Sequence, residues 1–312
     1  MAPRKAPASI SVDLDSLHHY CRIHSLPESL LDERARRLVH EVAVPRYLEL
    51  FRELGAPGTF FAIGEDLAEP GAAEALSQAH RHGVEVGNHS FSHDYALSRR
   101  GADEIDRELA RGEDAIAQAV GERPTGFRAP GYTLTPALHE ALQRRGYRYD
   151  SSAFPAVPYW TAKALVMGAL AVTGKPSRAV LDSPRVLLAP TRPYFPSRTR
   201  PYARGDADVL QLPITCAPVT RFPFIGTFAV TLPRPAVRAL YATLRREPLF
   251  NFELHAVDVL SVEDGIPRAL AQRQRDLFVP VRQKLERLRE VFSWLRDDYA
   301  LMPLRDAAER LR

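Results

Sequence analysis

The sequence predicts an α/β fold, with parallel strands and crossover helices arranged as an open sheet or a barrel. Short apolar segments alternate with amphipathic helical segments along most of the 312 residues. Apolar residues make up 45% of the chain and charged residues 26%, as in ordinary globular proteins, and two cysteines are too few for a disulfide framework. This length suits one large α/β domain or two small ones, and we expect a single domain over residues 1–312.

The amino-terminal half carries the most regular alternation. Residues 10–14 form an apolar run that ends in acidic residues, which is typical of a buried strand. Residues 58–63 (GTFFAI) are rich in β-forming residues and follow a Gly-Ala-Pro turn. Further strands are predicted at 84–87, 127 and 147–151, and helices at 33–54, 72–82, 103–120 and 136–145.

Proline interrupts this alternation in the middle of the chain. Thirteen of the 26 prolines lie between Pro155 and Pro235, where long regular elements are disfavoured. We interpret residues 155–235, with approximate boundaries, as a loop-rich insertion over one end of the sheet or barrel. Beyond it, helices are predicted at 235–246, at 276–295 and from 305, and strands at 250–254 and 300–302.

Two polar motifs follow predicted strands and contain residue types that bind metals. Asp13 and Asp15 end the first strand two residues apart, so alternation places both carboxylates on one face. His89 and His93 follow the third strand with H-x-x-x-H spacing, which in a helical turn brings two imidazoles to one side. Two histidines and one carboxylate form a three-ligand set that leaves coordination positions open for water. Taken singly, the first motif is also compatible with a capping aspartate and the second with surface histidines.

Two later motifs offer an orienting cation and a proton donor. Arg128 begins the segment RAPGY, in which the guanidinium can hold a carboxylate and the prolyl-glycyl turn frees backbone N–H groups. His255 ends the segment NFELH after an apolar strand, which makes it a candidate general acid. Taken singly, the first is also compatible with a plain turn and the second with a core histidine.

The order VDLD, HSFSH, RAPGY and FELH resembles the NodB-homology domain of the fourth carbohydrate-esterase family, the polysaccharide deacetylases. The resemblance runs from about Ile10 to His255, and the strand that ends at Met302 also fits. It implies a distorted (β/α) barrel with fewer than eight strands. It also implies a metal-dependent amidase that removes an acetyl or formyl group from the nitrogen of an amino sugar.

The resemblance also implies a role for each matching residue. Asp13 would be the catalytic base, Arg128 would hold that base in position, and His255 would protonate the leaving amine. One divalent ion, expected to be Zn²⁺ with Co²⁺, Ni²⁺ and Mn²⁺ as alternatives, would be held by Asp15, His89 and His93. Three residues would contact the substrate. The backbone N–H of Tyr132 would bind the oxyanion, Pro130 would lie beside it, and Leu254 would line the acyl pocket.

The first motif departs from the family's commonest form, because Leu14 separates the two aspartates that are usually adjacent. A spaced pair is similar to the small-amide hydrolases, the atypical peptidoglycan deacetylases and the lipid-linked aminosugar deformylases. The family acid that tunes the general-acid histidine has no clear counterpart. Asp150 and Asp258 are candidates, although each is expected to be structural.

The substrate class rests on the middle of the chain. Residues 159–175 are apolar with aromatic residues at one end, which suits either a membrane interface or a buried helix. Five arginines follow without an acid between Asp182 and Asp206, and they are Arg185, Arg192, Arg198, Arg200 and Arg204. An arginine-rich loop beside an apolar helix suits a phosphate on a lipid carrier. We therefore hypothesise an N-acylated amino sugar or glycolipid on a polyprenyl phosphate, met by peripheral contact at the inner face of the membrane.

Two rival functions and one exclusion follow from the same sequence. The rivals are a soluble hydrolase of small amides or ureides, similar to the allantoinases, and a sugar-binding protein without catalysis. The amino terminus has no apolar signal segment, so a cytoplasmic protein is expected. A net charge of +4 without aromatic-interleaved basic stripes argues against nucleic acid as a partner. A surface loop is expected for His18, His19 and His24.

Overall fold

The computed structural model describes residues 5–172 and 180–312. The strands in this part of the chain are β1 (Pro7–Asp13), β2 (Thr59–Ala62), β3 (Glu85–Asn88), β4 (Gly126–Phe127), β5 (Tyr149–Asp150), β6 (Leu210–Gln211), β7 (Phe250–His255) and β8 (Ala300–Leu301). They form one sheet in the order β6-β5-β4-β3-β2-β1-β7, and β8 pairs with β1. Every pairing between these strands is parallel. The sheet curls into a half-barrel with helices around it, so the predicted distorted (β/α) barrel is confirmed.

Helices connect the strands as a parallel sheet requires. They are α1 (Leu17–Ile23), α2 (Glu33–Leu38), α3 (Val44–Leu54), α4 (Ala72–Arg81), α5 (Ala102–Val120), α6 (Pro136–Arg144), α7 (Val157–Val172), α8 (Gly226–Thr231), α9 (Arg234–Leu244), α10 (Arg268–Ala271), α11 (Val281–Asp298) and α12 (Leu304–Leu311). A π-helical turn at Val39–Ala43 joins α2 to α3, so the predicted helix over 33–54 continues through it.

β1 lies at the centre of the molecule. All seven of its residues are buried, because β7 covers one edge while β2 and β8 share the other. The largest apolar cluster forms around it and includes Phe60, Phe250 and Phe252, each fully buried. Full burial of such a side chain stabilises a fold by roughly 1.5–3 kcal/mol. The residues at the carboxyl end of β1 therefore stand on a rigid support.

The structure departs from the predicted elements at several places. Eight strands are present in the described residues, whereas the family resemblance implied fewer. The segment at 155–235 includes α7 and α8, and it contributes β6 to one edge of the sheet. The helix predicted at 276–295 begins later, at Val281, because Pro280 lacks the N–H that a helix interior requires. No helix among the described residues is both long and apolar enough to cross a bilayer.

Candidate active site

The candidate site lies where the carboxyl ends of neighbouring parallel strands meet. Asp13 is the last residue of β1, and it stands directly opposite His255, the last residue of β7. His89 follows β3 and Arg128 follows β4. Asp13, His89 and His255 border an open cleft of about 310 Å³, and its lining also includes Asp15, His93, Tyr132 and Glu253. Ligands of curled parallel sheets bind at this end of the strands, because the loops there come from several strands at once.

Asp15, His89 and His93 converge as a metal-ligand set. The Oδ1 atom of Asp15 lies 3.5 Å from Nε2 of His89 and 3.4 Å from Nε2 of His93. Ligand atoms about 2.0–2.1 Å from a tetrahedral ion stand roughly 3.3–3.4 Å apart, so these separations match one ion between the three atoms. Asp15 Oδ1 is buried and has no hydrogen-bond partner among the described residues. A buried carboxylate oxygen without a hydrogen bond is costly, and a cation at this point would satisfy it. The residues present therefore fit a divalent ion.

Surrounding groups prepare the two imidazoles for this role. Nδ1 of His89 lies 2.7 Å from the carbonyl oxygen of Arg128 and donates to it, which leaves Nε2 facing Asp15. Burial lowers the pKa of His93 to about 4, so that this imidazole is neutral and its lone pair is free at neutral pH. Burial alone would raise the pKa of Asp15, but the adjacent His93 and His89 outweigh it and hold the pKa well below its usual range.

The loop that carries the histidines is not helical, which corrects the predicted reason for their approach. Residues 89–93 form neither helix nor strand, and Ser90 and His93 have positive φ angles of 67° and 53°. Residues other than glycine rarely adopt this backbone conformation, and it is found preferentially at functional sites. The hydroxyl of Ser90 accepts the backbone N–H of His93 at 3.1 Å. The loop starts from Asn88, whose side-chain amide donates to the Leu109 carbonyl at 3.1 Å.

Arg128 lies against Asp13. Its side chain is fully buried, and Nη1 donates to Oδ1 of Asp13 at 2.6 Å. Nη2 donates to the hydroxyls of Ser11 at 2.8 Å and Ser151 at 2.9 Å, and Nε donates to the Ser151 carbonyl at 3.2 Å. The guanidinium also lies over the ring of Phe61, 4.2 Å from its centroid. A buried charge pair is tolerated only when its remaining donors are satisfied, and this one meets that condition.

Glu253 is the functional candidate that the sequence analysis missed. It precedes His255 by two residues on β7, and its Oε1 atom lies 2.9 Å from Nδ1 of His255. Burial alone would lower the pKa of His255, but the Glu253 carboxylate outweighs it and raises the pKa well above its usual value. The charge of Glu253 therefore favours the imidazolium form of His255. The period of two along a strand could have identified Glu253, because residues 253 and 255 share one face.

Asp150 and Asp258, the two candidates from the sequence for the acid that tunes His255, do not contact its ring. Asp150 accepts the backbone N–H of Ser152 at 3.0 Å, and burial raises its pKa to about 6. Asp258 accepts the backbone N–H of His255 at 2.9 Å in a capping arrangement, and burial raises its pKa to about 7. Both carboxylates support the local backbone, as expected, whereas Glu253 contacts the ring.

Tyr132 enters the site through its hydroxyl and not through its backbone. Its N–H donates to the Ala129 carbonyl at 3.0 Å, so this donor is already engaged and the predicted contact with an oxyanion is not prepared. Gly131 and Tyr132 both have positive φ, 66° and 62°, and this turn directs the side chain inwards. The hydroxyl oxygen lies 3.1 Å from Glu253 Oε1, 3.1 Å from His255 Nε2 and 3.4 Å from Asp13 Oδ2. It therefore connects Asp13 with the pair formed by Glu253 and His255.

The other two predicted substrate contacts are corrected by the structure. Leu254 is fully buried in the core around β1, because alternation along β7 turns it away from the face that carries Glu253 and His255. Pro130 is buried as well and is absent from the lining of the cleft. The apolar part of that lining comes instead from Phe154, Tyr159, Ile225 and Phe228, with further residues at its rim.

The arginine-rich segment offers less free charge than its sequence suggests. Arg192 pairs with Glu247 at 2.9 Å, and Arg198 lies 3.4 Å from Asp208 and 3.8 Å from Asp206. The apolar segment predicted at 159–175 is helical up to Val172, and its last three residues lie outside the described part of the chain.

Comparisons with known proteins agree with this geometry. A family model described as polysaccharide deacetylase matches residues 38–149, which include His89, His93 and Arg128. A peptidoglycan deacetylase of Helicobacter pylori is 28% identical over 141 residues, which are 45% of this chain and 47% of that protein. A peptidoglycan-N-acetylglucosamine deacetylase of Bacillus cereus is 30% identical over 104 residues, which are 33% of this chain and 47% of that protein. The chain thus spans about half the length of the curated relatives it matches.

One crystal structure resembles the whole chain in fold. It comes from Mycobacterium smegmatis and is described as a presumed polysaccharide deacetylase. The TM-score is 0.63 at 19% identity, and the likeness covers 100% of this chain and 92% of that one. At this identity the likeness concerns the fold.

Proposed function

Because the chain belongs to the NodB-homology superfamily of polysaccharide deacetylases, we propose that it is a divalent-metal-dependent amidase that removes the acetyl group from an N-acetylated amino sugar. One observation carries the proposal. A carboxylate held by a buried arginine and an imidazole held by a buried glutamate face the same cleft, next to an Asp-His-His ligand set. A base, an acid and a metal site within one cleft are the groups that amide hydrolysis requires.

Asp15, His89 and His93 would hold the ion, and Zn²⁺ suits this ligand set best. When bound, the ion would supply Lewis-acid polarisation of the amide carbonyl and acidify a water molecule. The ligand set provides three donors, so positions remain open for water and for the substrate oxygen.

Asp13 is suited to act as the base. Arg128 engages its Oδ1 atom, which leaves Oδ2 facing the cleft, 3.8 Å from Nε2 of His89. The carboxylate would accept the proton of the attacking water as the new C–O bond forms. Arg128 fixes the orientation of the carboxylate, and positioned bases of this kind contribute roughly 10²–10⁴-fold to rate.

His255 is suited to act as the acid. Its Nδ1 side is occupied by Glu253, so the proton on Nε2 is the one available to the cleft. Transfer of that proton to the departing nitrogen lets a neutral amine leave in place of an amide anion. The Tyr132 hydroxyl lies within 3.1 Å of the same Nε2 atom and would position the substrate nitrogen or yield its place to it.

The apolar wall supports a small acyl group. Phe154, Ile225 and Phe228 line the cleft, Ile225 is bridged to Glu253, and a methyl group would pack against such a surface. We do not extend the proposal to a lipid-linked phosphate, because Arg192 and Arg198 of the arginine-rich segment are paired with carboxylates.

The test is release of acetate by chelator-stripped protein before and after reloading with Zn²⁺ or Co²⁺. The substrates are N-acetylglucosamine oligomers, peptidoglycan, a polyprenyl-phosphate-linked N-formyl amino sugar and a cyclic ureide. We expect acetate from at least one of the first two, only after metal is restored, and none from Asp13→Asn. Release of formate alone would contradict the proposed substrate and support the lipid-linked N-formyl amino sugar. Turnover of the ureide alone would contradict it and support the small-amide hydrolase. Sugar binding without any turnover by the metal-loaded protein would refute the proposed activity.

A further inference from the structure

A second group of metal-binding residue types lies beside the candidate active site. We call it the α1 cluster, and it consists of His18, His19, Glu65 and Asp66. The histidines belong to α1, which begins two residues after Asp15, and the carboxylates belong to a 3-10 turn that follows β2. The expected surface loop is wrong for His18 and His19, since both are buried. None of these four residues has a part in the proposed reaction.

The ligand atoms of the α1 cluster have the spacing of a coordination shell. Oδ1 of Asp66 lies 3.1 Å from Nε2 of His19 and 3.4 Å from Nε2 of His18. Oε1 of Glu65 lies 3.7 Å from Nε2 of His18. Ligand atoms around a tetrahedral zinc-class ion are expected roughly 3.3–3.4 Å apart, and these three distances fall on either side of that value. The two imidazole rings stand only 3.9 Å apart, with both Nε2 atoms near one carboxylate oxygen.

Charge also favours a cation at this point. Arg22 donates to Glu65 at 2.9 Å and to Glu28 at 2.8 Å, so one guanidinium is shared between two carboxylates. With neutral imidazoles, which metal binding requires, Glu65 and Asp66 give the α1 cluster two negative charges, and Arg22 compensates only part of them. The side chains of His19 and Asp66 are each 1% exposed, so water screens this excess poorly. One divalent ion would neutralise it.

The α1 cluster is reachable from solvent and lies against a ligand of the first site. An open cleft is lined by His19, Arg22 and His93 among others, and the side chain of Glu65 is 28% exposed. The ring centroid of His19 is 4.6 Å from that of His93. An ion in the α1 cluster would therefore connect α1 to the turn after β2, at a position adjacent to His93.

We propose that the α1 cluster binds a second divalent cation of the zinc class, through His18, His19, Asp66 and Glu65, and that this ion fixes α1 behind the His93 ligand. The site goes beyond the proposed function and does not depend on the substrate. The alternative is a metal-free hydrogen-bonded group, in which both imidazoles donate to Asp66.

The test counts metal ions on the full chain. Chelator-stripped protein is titrated with Co²⁺ alone, and the ions bound per chain are measured by elemental analysis together with the visible absorption of the bound Co²⁺. We expect two ions in the wild-type protein, one in His18→Gln, one in His89→Gln and none in the double variant. His80→Gln is the matched control, because His80 lies on a surface helix beside Glu122 at 3.6 Å, and it should retain two ions.

A single wild-type ion that disappears in His89→Gln would overturn the inference, and so would two ions retained in both His18→Gln and Asp66→Asn. Circular dichroism reports whether each variant folds. If His18→Gln does not fold, the wild-type protein and His89→Gln still decide, since the inference requires two ions and one ion respectively. This experiment counts ions and does not measure turnover. If the protein binds two ions but is inactive in the acetate-release assay, the proposed function is contradicted and the second metal site is not.

Discussion

Replacing Glu253 by glutamine removes a charge from beside His255 while keeping the shape of the side chain. In the wild-type protein the carboxylate oxygen lies 2.9 Å from Nδ1 of the imidazole, and Glu253 raises the pKa of His255 well above its usual value. The acid form of His255 is therefore preserved to higher pH. Activity that needs this form is lost as pH rises through the pKa, so the wild-type activity should extend into the alkaline range. In Glu253→Gln the alkaline limit should move to lower pH.

The structure bounds the size of this shift. At an effective dielectric constant of about 20, two unit charges about 3 Å apart interact by roughly 5–6 kcal/mol, which corresponds to about four pH units. The Tyr132 hydroxyl shares the Glu253 oxygen at 3.1 Å and already disperses part of that charge. Measured effects of one neighbouring charge are commonly one to three units. We expect the pKa of His255 to fall by roughly one to three units in Glu253→Gln.

Two measurements check this expectation. The first is the pH dependence of kcat on an N-acetylated substrate, compared between the wild-type protein and Glu253→Gln after equal metal loading. The second is the titration of the His255 ring by NMR, which gives the pKa even in the absence of turnover. Asp258→Asn is a matched control, because that carboxylate contacts the backbone N–H of His255 and not its ring. If the folded Glu253→Gln protein retains both the alkaline limit and the His255 pKa, the assignment of Glu253 is refuted.

Three further predictions concern single carboxylates. Asp13→Asn should keep the metal content while turnover falls by roughly 10²–10⁴-fold, and elemental analysis showing metal loss would identify Asp13 as a ligand instead. Asp15→Asn should lose one ion per chain and all turnover, and an unchanged metal count after equilibrium dialysis would contradict the ligand set. Burial raises the pKa of Asp150 to about 6 from 3.8, so the folded chain keeps a proton that the unfolded chain releases. Asp150 should therefore contribute a loss of about 3 kcal/mol in stability as pH rises from about 4 to 6, and in urea unfolding Asp150→Asn should lose less stability than the wild-type protein by about that amount.

Much of the site follows from residues that come directly after strands. Asp13, Asp15, His89 and Arg128 could be predicted, because parallel strands bring their carboxyl ends to the same edge. The approach of His89 to His93 could not be derived correctly, since it depends on positive φ at Ser90 and His93, which spacing does not reveal.

Two of the errors, at Leu254 and Glu253, have a common physical origin in the alternation of side chains along β7. Leu254 was placed in the acyl pocket although its two neighbours, Glu253 and His255, occupy the face that borders the cleft. Applying the period of two consistently would have removed Leu254 and supplied Glu253. The burial of His18 and His19 needed the position of Asp66, which is distant in sequence and is brought near only by the fold.

The buried guanidinium of Arg128 has a structural consequence of its own. It crosses the hollow of the half-barrel and joins β1, through Ser11 and Asp13, to Ser151 just beyond β5. In a closed barrel, layers of apolar side chains hold opposite walls together. Here the guanidinium and the side chain of Asn251, which contacts both Ser11 and Ser151, link strands that are not paired with each other. The side chain that orients the base therefore also helps to hold the curved sheet together. We therefore expect substitutions of Arg128 that abolish activity to destabilise the folded protein as well, and such variants should accumulate poorly in cells. Catalysis and folding are not separable at this position.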